Sequence, residues 1–229
     1  MTLPTPPNGW SLGLDVSQLQ GKIDVPSLVA AGVAFLYLRA TDGIHDVDPQ
    51  TKTTPSACIA AGLPFGCYGV LEPYGAVGVG AQATHFVSVA SDLGATLPPW
   101  LDFELARGET GLVALQTAAD WCDFVESATK VSPMVYCGPS FIETLEHYAG
   151  PSADLVCARL ATRRLVVAHY TGDVARLPTV PSPWKDWTIW QASGGRTESR
   201  NYATLPGTTV DVDVDWVRGP VSTLRSVTP

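Results

Sequence analysis

Short apolar runs, punctuated by Gly, Pro and polar residues, recur along almost the whole chain. LGLDV (12–16), AFLYLRA (34–40), FGCYGVL (65–71), PPWLDFE (98–104) and PMVYCG (133–138) read as strands. LVVAHY (165–170), WTIWQA (187–192) and TVDVDVDWV (209–217) continue the series. The early runs are apolar nearly throughout, as expected of strands covered on both faces. Helix-period segments lie between them. The clearest spans 111–129, where Leu112, Leu115, Ala119, Cys122 and Val125 recur on one face. Another covers 80–92, and shorter ones fall at about 26–31, 55–61 and 139–147, the last opening with Pro139 after Gly138. Strand–helix alternation predicts a parallel α/β sheet or barrel. In the last third strands continue without helices, joined by Gly/Pro/Ser-rich loops. No repeat or low-complexity linker interrupts the pattern, so a single domain is expected.

Composition narrows the picture in three ways. At 229 residues with 45% hydrophobic side chains the chain can bury a large core, which argues against disorder. A net charge of −8 argues against nucleic acid as a partner, since phosphate binding needs clustered Lys and Arg. No apolar run approaches the roughly 18 residues that a membrane span requires, so no membrane insertion is expected. The start, MTLPTPPNGWSLG, has no basic n-region or apolar h-region, so it reads as a Pro-rich lead-in (1–11) and not as a secretory signal. The five cysteines (Cys58, Cys67, Cys122, Cys137, Cys157) are odd in number and contain no CxxC pair. They read as buried thiols from synthesis in a reducing cytoplasm, neither zinc ligands nor a disulfide framework.

The carboxylates then fall into a pattern. Asp15 ends the first strand, Asp42 follows the second, Glu72 follows the third, and Asp102 with Glu104 ends the fourth. Asp211, Asp213 and Asp215 alternate along the last strand and so share one face. Acids where parallel strands stop mark the rim on which a barrel builds its active site. Tyr37, Tyr68, Tyr74, Tyr136, Tyr170, Trp187 and Trp190 gather at comparable places. An acidic cleft walled by rings suits a sugar, whose apolar face stacks while its hydroxyls bond to carboxylates. Paired carboxylates are the equipment of glycoside hydrolysis, and crowding raises the pKa of one partner. D-x-E alone is equally compatible with a solvated strand end. The four histidines show no metal-ligand spacing, and His169 reads as a hydrogen-bonded structural residue. Trp121 and Phe124 read as helix packing.

Taken in order, GLDVSQLQGKID (13–24), VAFLYLRATDG (33–43), AAGLPFGCYGVLEP (60–73) and LPPWLDFE (97–104) resemble the family 25 glycoside hydrolases. These are N-acetylmuramidases often found as phage endolysins. The resemblance continues through PMVYCGPSF (133–141), LVVAHY, WTIWQAS (187–193) and VDVDWVRG (212–219). It implies an α/β single barrel of about eight strands, (β/α)5(β)3-like, with helices missing in the last third. It also implies a catalytic domain over 12–219 followed by a tail (220–229). The implied activity is cleavage of the β-1,4 bond between N-acetylmuramic acid and N-acetylglucosamine, with no metal or cofactor. By position Glu104 would be the general acid, and Asp102 would assist the substrate acetamido group or stabilise the transition state. Asp15 and Asp213 match the family aspartates of the first and last strands, with Asp211 and Asp215 flanking. Tyr68, Tyr136, Trp190, Gln191, Asp42 and Arg39 would bind substrate.

Departures from the family pattern are local. Gly69 and Val70 stand where His and Phe usually follow the third-strand Tyr, which is expected to thin an aromatic wall. Asp42 replaces a commoner Glu, Val166 replaces an aromatic, and Glu72 is an additional acid without an assigned role. The resemblance points to a monomeric endolysin made without a signal and released through a holin-type pore, or to the domain of a secreted autolysin. The alternative is a non-catalytic glycan-binding module on the same barrel, which predicts loss of an acid. A peptidase or amidase is disfavoured by the lack of a metal triad or Cys/His pair. The loop GGRTESRNY (194–202) is placed at the rim, either against the substrate or simply solvated.

Overall fold

The computed structural model describes residues 7–73, 78–171, 175–194, 203–204 and 211–225. Ten strands are described: β1 (Trp10–Val16), β2 (Phe35–Asp42), β3 (Asp46–Val47), β4 (Phe65–Val70), β5 (Trp100–Asp102), β6 (Met134–Cys137), β7 (Leu165–Ala168), β8 (Ile189–Gly194), β9 (Ala203–Thr204) and β10 (Asp211–Arg218). The helices are α1 (Val25–Ala30), α2 (Thr54–Ala61), α3 (Val79–Ala90), α4 (Gly111–Thr129), α5 (Pro139–Ala149) and α6 (Asp154–Leu160). Strands β2, β4, β5, β6, β7 and β8 run parallel in succession. β10 returns antiparallel against both β8 and β1, and β1 pairs parallel with β2. Eight strands therefore close into a barrel, with β3 and β9 as short additions on β2 and β10. Helices follow the first five barrel strands, and no α-helix is described after β7.

The wall is apolar on both sides because both sides are covered. Outside it, a core formed by residues such as Leu14, Leu36, Phe86, Trp121 and Trp216 fills the space under the helices. Inside it, Phe35, Tyr37, Tyr68, Trp100, Tyr136 and Val166 form a second core. Tyr37 stacks on Trp100 at 3.8 Å between centroids, and Tyr68 and Tyr136 lie on the same ring at 5.5 and 6.3 Å. Glycine makes room for these rings: a Cβ at Gly13 would strike the ring of Phe35, and one at Gly66 the ring of Tyr37. This aromatic filling forms the floor of the site above.

The sequence expectations need a few adjustments. The run 98–104 is strand only over Trp100–Asp102, since Pro98 and Pro99 carry no N–H to donate. α6 lacked a sequence signal because it is seven residues long and leaves Leu155 exposed. All five cysteines are buried and free, and burial pushes the Cys58 and Cys67 thiols up to about 12. Tyr74 and residues 195–202 of the rim loop lie outside the described residues. No described helix is long and apolar enough to cross a membrane.

Candidate active site

The D-x-E segment owes its geometry to the residue between the acids. Phe103 donates its backbone N–H to the carbonyl of Tyr136 (2.9 Å), and its buried ring packs edge-on against Phe141 at 5.0 Å. With Phe103 turned into the outer core, alternation delivers Asp102 and Glu104 to the opposite side. There they line a cavity of about 230 Å³ at the C-terminal ends of the strands, with Asp15 of β1 and Asp213 of β10. Asp15 and Asp213 are register partners in the β1–β10 ladder, which explains why two acids far apart in sequence meet. Asp213, rather than Asp211 or Asp215, lines the cavity.

Polar contacts fix the floor. Gln191 donates through Nε2 to Asp15 Oδ2 (2.7 Å), while its Oε1 accepts from the hydroxyls of Tyr136 (2.9 Å) and Tyr170 (2.7 Å). One amide thus orients an acid and two phenols. On the opposite rim Arg39 donates to Asp48 Oδ2 (2.8 Å) and stands 3.9 Å from Asp42. Arg39, Asp42, Tyr68, Tyr136 and Gln191 all line the cavity.

Trp190 does not, and its expected substrate role is corrected. Gln191 faces inward, so its neighbour on β8 faces outward. Trp190 is 1% exposed, lies 6.4 Å from Trp10 and 6.2 Å from Trp187, and donates Nε1–H to the His169 carbonyl (2.8 Å). Trp187 belongs to the same outer cluster. The tryptophan that does line the cavity is Trp100, two residues before Asp102 and therefore on the same face. Gly69 also faces outward, since a Cβ there would meet Phe86 at 2.8 Å. Only Val70, which lines the cavity, thins the wall. His169 accepts a hydrogen bond from the Thr179 backbone (2.8 Å), as a structural histidine does.

Glu72 acquires a role. Its carboxylate takes two hydrogen bonds from Arg107, each 2.7 Å, so the segment after β4 is tied to the segment that follows Glu104.

The electrostatics follow from burial and crowding of like charges at the mouth. Burial pushes the Asp102 carboxyl well above its ordinary range, and the charges of Glu104, Asp15 and Asp42 push it further against Arg39. One of its oxygens, Oδ1, is buried without a hydrogen-bond partner. Burial brings Asp15 up to about 6; the Gln191 hydrogen bond opposes that rise and the Glu104 charge adds to it. Behind them Asp215 is fully buried and neither of its oxygens accepts a hydrogen bond. Burial and the charges of Asp15 and Asp213 push it well upward, which favours a neutral acid beneath the cleft. A crowded carboxyl pair above such a floor can hold one proton and one negative charge, the requirement of acid-assisted glycosidic cleavage. Among the described residues no three His, Cys, Asp or Glu side chains are arranged to hold one metal ion.

Comparison with known proteins bears on the family and the fold. The family model for glycosyl hydrolases family 25 matches residues 14–198. Lysozyme M1 of Streptomyces globisporus is 30% identical over 225 residues, covering 94% of this chain and 70% of that protein. The N,O-diacetylmuramidase of a Chalaropsis species is 28% identical over 193 residues, covering 79% and 87% of the two chains. The bacterial lysozyme of Streptomyces coelicolor superimposes with a TM-score of 0.77 at 27% identity, covering 93% and 94%.

Proposed function

The chain belongs to the family 25 glycoside hydrolases, and from that premise we propose that it cleaves the β-1,4 bond between N-acetylmuramic acid and N-acetylglucosamine in peptidoglycan. One observation carries the proposal: Asp102 and Glu104 line one cavity at the strand ends, and burial with the Glu104 charge raises the Asp102 carboxyl, so the pair can share one proton. A carboxyl raised by burial and like charge is returned to its anion by an N–H donor that reaches it from the cavity. The 2-acetamido group of the sugar supplies such an N–H.

The steps follow from that contact. The acetamido N–H donates to Asp102, which favours the Asp102 anion, so the proton of the pair resides on Glu104. Glu104 delivers it to the glycosidic oxygen as the C1–O bond breaks. The acetamido carbonyl oxygen, made more nucleophilic by Asp102, bonds to C1 and closes a cyclic oxazolinium ion. Water then attacks C1, giving its proton to Glu104, and the ring reopens to the acetamide. This substrate-assisted course retains configuration and lies outside the two-carboxylate spacing rule. Asp15 and Asp213 place negative charge near the positive charge that develops on the ring. Trp100, Tyr68 and Tyr136 floor the cleft, while Arg39 and Asp42 hold its rim.

The narrower setting, a phage enzyme lysing its host, rests on the sequence resemblance alone. Wall lysis by the expressed chain only when a membrane-permeabilising partner is co-expressed would support it. The activity itself is tested by mass spectrometry of purified peptidoglycan after digestion. New muramic-acid reducing ends are expected; free stem peptides or glucosamine reducing ends would overturn the proposal.

A further inference from the structure

Among the described residues that line the cavity, one apolar side chain is not packed into a core. Leu19 lines the cavity and is 70% exposed, whereas Tyr68 and Tyr136 are 7% exposed and Trp100 is 1%. A lone exposed leucine is ordinary on a protein surface. Leu19 differs in where it stands and how firmly its backbone is held.

It is the middle residue of a single 3-10 turn, Gln18–Gln20, directly after β1. Both ends of that turn are fastened by buried polar groups. Ser17 N–H donates to Gln20 Oε1 (2.8 Å), and the Leu19 N–H reaches Ser17 Oγ (3.3 Å). Gln18 N–H donates to Asp48 Oδ2 (2.9 Å), the same oxygen that receives Arg39. Gln50 Nε2 bridges the carbonyls of Ser17 (3.0 Å) and Gly21, and Gln20 Nε2 reaches the carbonyl of Asp211 on β10 (3.3 Å). Asp48, Gln50 and Gln20 are all buried. The turn therefore has little freedom to fold Leu19 inward, and the isobutyl group stays in water beside a row of carboxylates.

Resting on the hydrolase reading above, we propose that Leu19 is a substrate-positioning residue, an apolar contact at the cleft rim for a C–H-rich patch of the glycan. Two parts of the substrate share that chemistry: the apolar ring face with its acetamido methyl, and the lactyl-peptide arm of muramic acid with its methyl groups. Carboxylates and a guanidinium bind hydroxyls and amides but gain nothing from such a patch, so Leu19 adds an apolar contact beside the polar rim residues Asp15, Arg39, Asp42 and Glu104. Because the turn is held before substrate arrives, little ordering entropy is lost on contact.

The test compares wild type, Leu19→Ala and Leu19→Met on soluble glycan strands with stem peptides intact and on the same strands stripped of peptides. Reducing-end release gives KM and kcat, and thermal unfolding reports the fold. For Leu19→Ala, KM should rise about tenfold, about 1.4 kcal/mol of lost contact. kcat and Tm should remain near wild type, and Leu19→Met should restore KM, the signature of uniform binding lost. A KM effect on both substrates assigns the contact to the sugar; an effect only on peptide-bearing strands assigns it to the lactyl-peptide arm. KM unchanged on both, in a wild type that cleaves glycan, overturns the proposal. So does a joint fall of kcat and Tm, which marks a structural role. A wild type that releases only stem peptides defeats the hydrolase reading itself, and the Leu19 assignment with it.

Discussion

Acids stand in two places on this molecule under opposite fields. On the helical outer layer, Asp123 of α4 accepts from Arg159 Nε (3.1 Å) and Arg163 (2.6 Å), and Glu126 pairs with Arg163. Partial burial works against the Asp123 anion, yet the hydrogen bonds from Arg159 and Arg163 hold its carboxyl below the ordinary range. At the barrel mouth Asp15, Asp102 and Asp215 are more deeply enclosed, other acids face them, and all three are raised. Arg39 is turned mainly toward Asp48 and so does little to neutralise them. Where the chain uses acids to join helices, it supplies arginines. Where it buries and crowds them, each carboxyl holds its proton more tightly and folding stability is given up.

Substitution at the mouth should produce the largest effect. Asp102→Asn should lower kcat roughly 10²- to 10⁴-fold, read as reducing-end release. It should also raise stability at neutral pH, read by denaturant unfolding. The folded state binds the Asp102 proton more tightly than the unfolded chain does, so its ionisation costs stability as pH rises. The gain of the variant should therefore shrink in acid. A loss of stability at pH 7 would place Asp102 with the structural acids.

Asp15 gives a bounded version of the same comparison. Its pKa moves from 3.8 to about 6, so its favourable contribution is complete below about 4 and is lost as pH rises through 6. Relative to Asp15→Asn, wild type should lose stability across that window, by at most about 3 kcal/mol. A flat difference between pH 4 and 7 would break the assignment.

The outer acids should give the smallest effect. Asp123→Ala should cost about 1 kcal/mol or less, since its partners are partly solvated, and should leave the rate on peptidoglycan unchanged. Its stability cost should grow as pH rises from acid toward neutrality, opposite in sign to Asp15, because its carboxyl is lowered.

How much of this was legible in the sequence depended on which signal each residue carried. Barrel strands covered on both faces announce themselves as apolar runs, and the five leading helices by period and by caps such as Pro139. Closure was less visible, because it needs β10 to run antiparallel between β8 and β1, and a residue pattern carries no strand direction. The meeting of Asp102 with Glu104 follows from alternation alone, whereas that of Asp15 with Asp213 depends on the ladder register. The Trp190–Gln191 pair misled for a simple reason: neighbours on a strand cannot both face the cleft. The same alternation, applied two residues upstream of Asp102, points to Trp100. Asp215 is different: alternation puts it on the face of Asp213, but its complete burial comes from its depth in the β1–β10 ladder, opposite Gly13, which no local pattern marks. Leu19 was hidden because one leucine in a polar turn has no periodicity to read.

The most direct measurement is the rate and the Tm of Glu104→Gln beside wild type, taken from one preparation on one peptidoglycan sample. Expected is a fall in rate of about a thousandfold or more with Tm equal to or above wild type, the mark of an acid kept for chemistry and not for folding. A retained rate, or a rate lost together with Tm, would contradict the division between the crowded mouth and the paired outer layer.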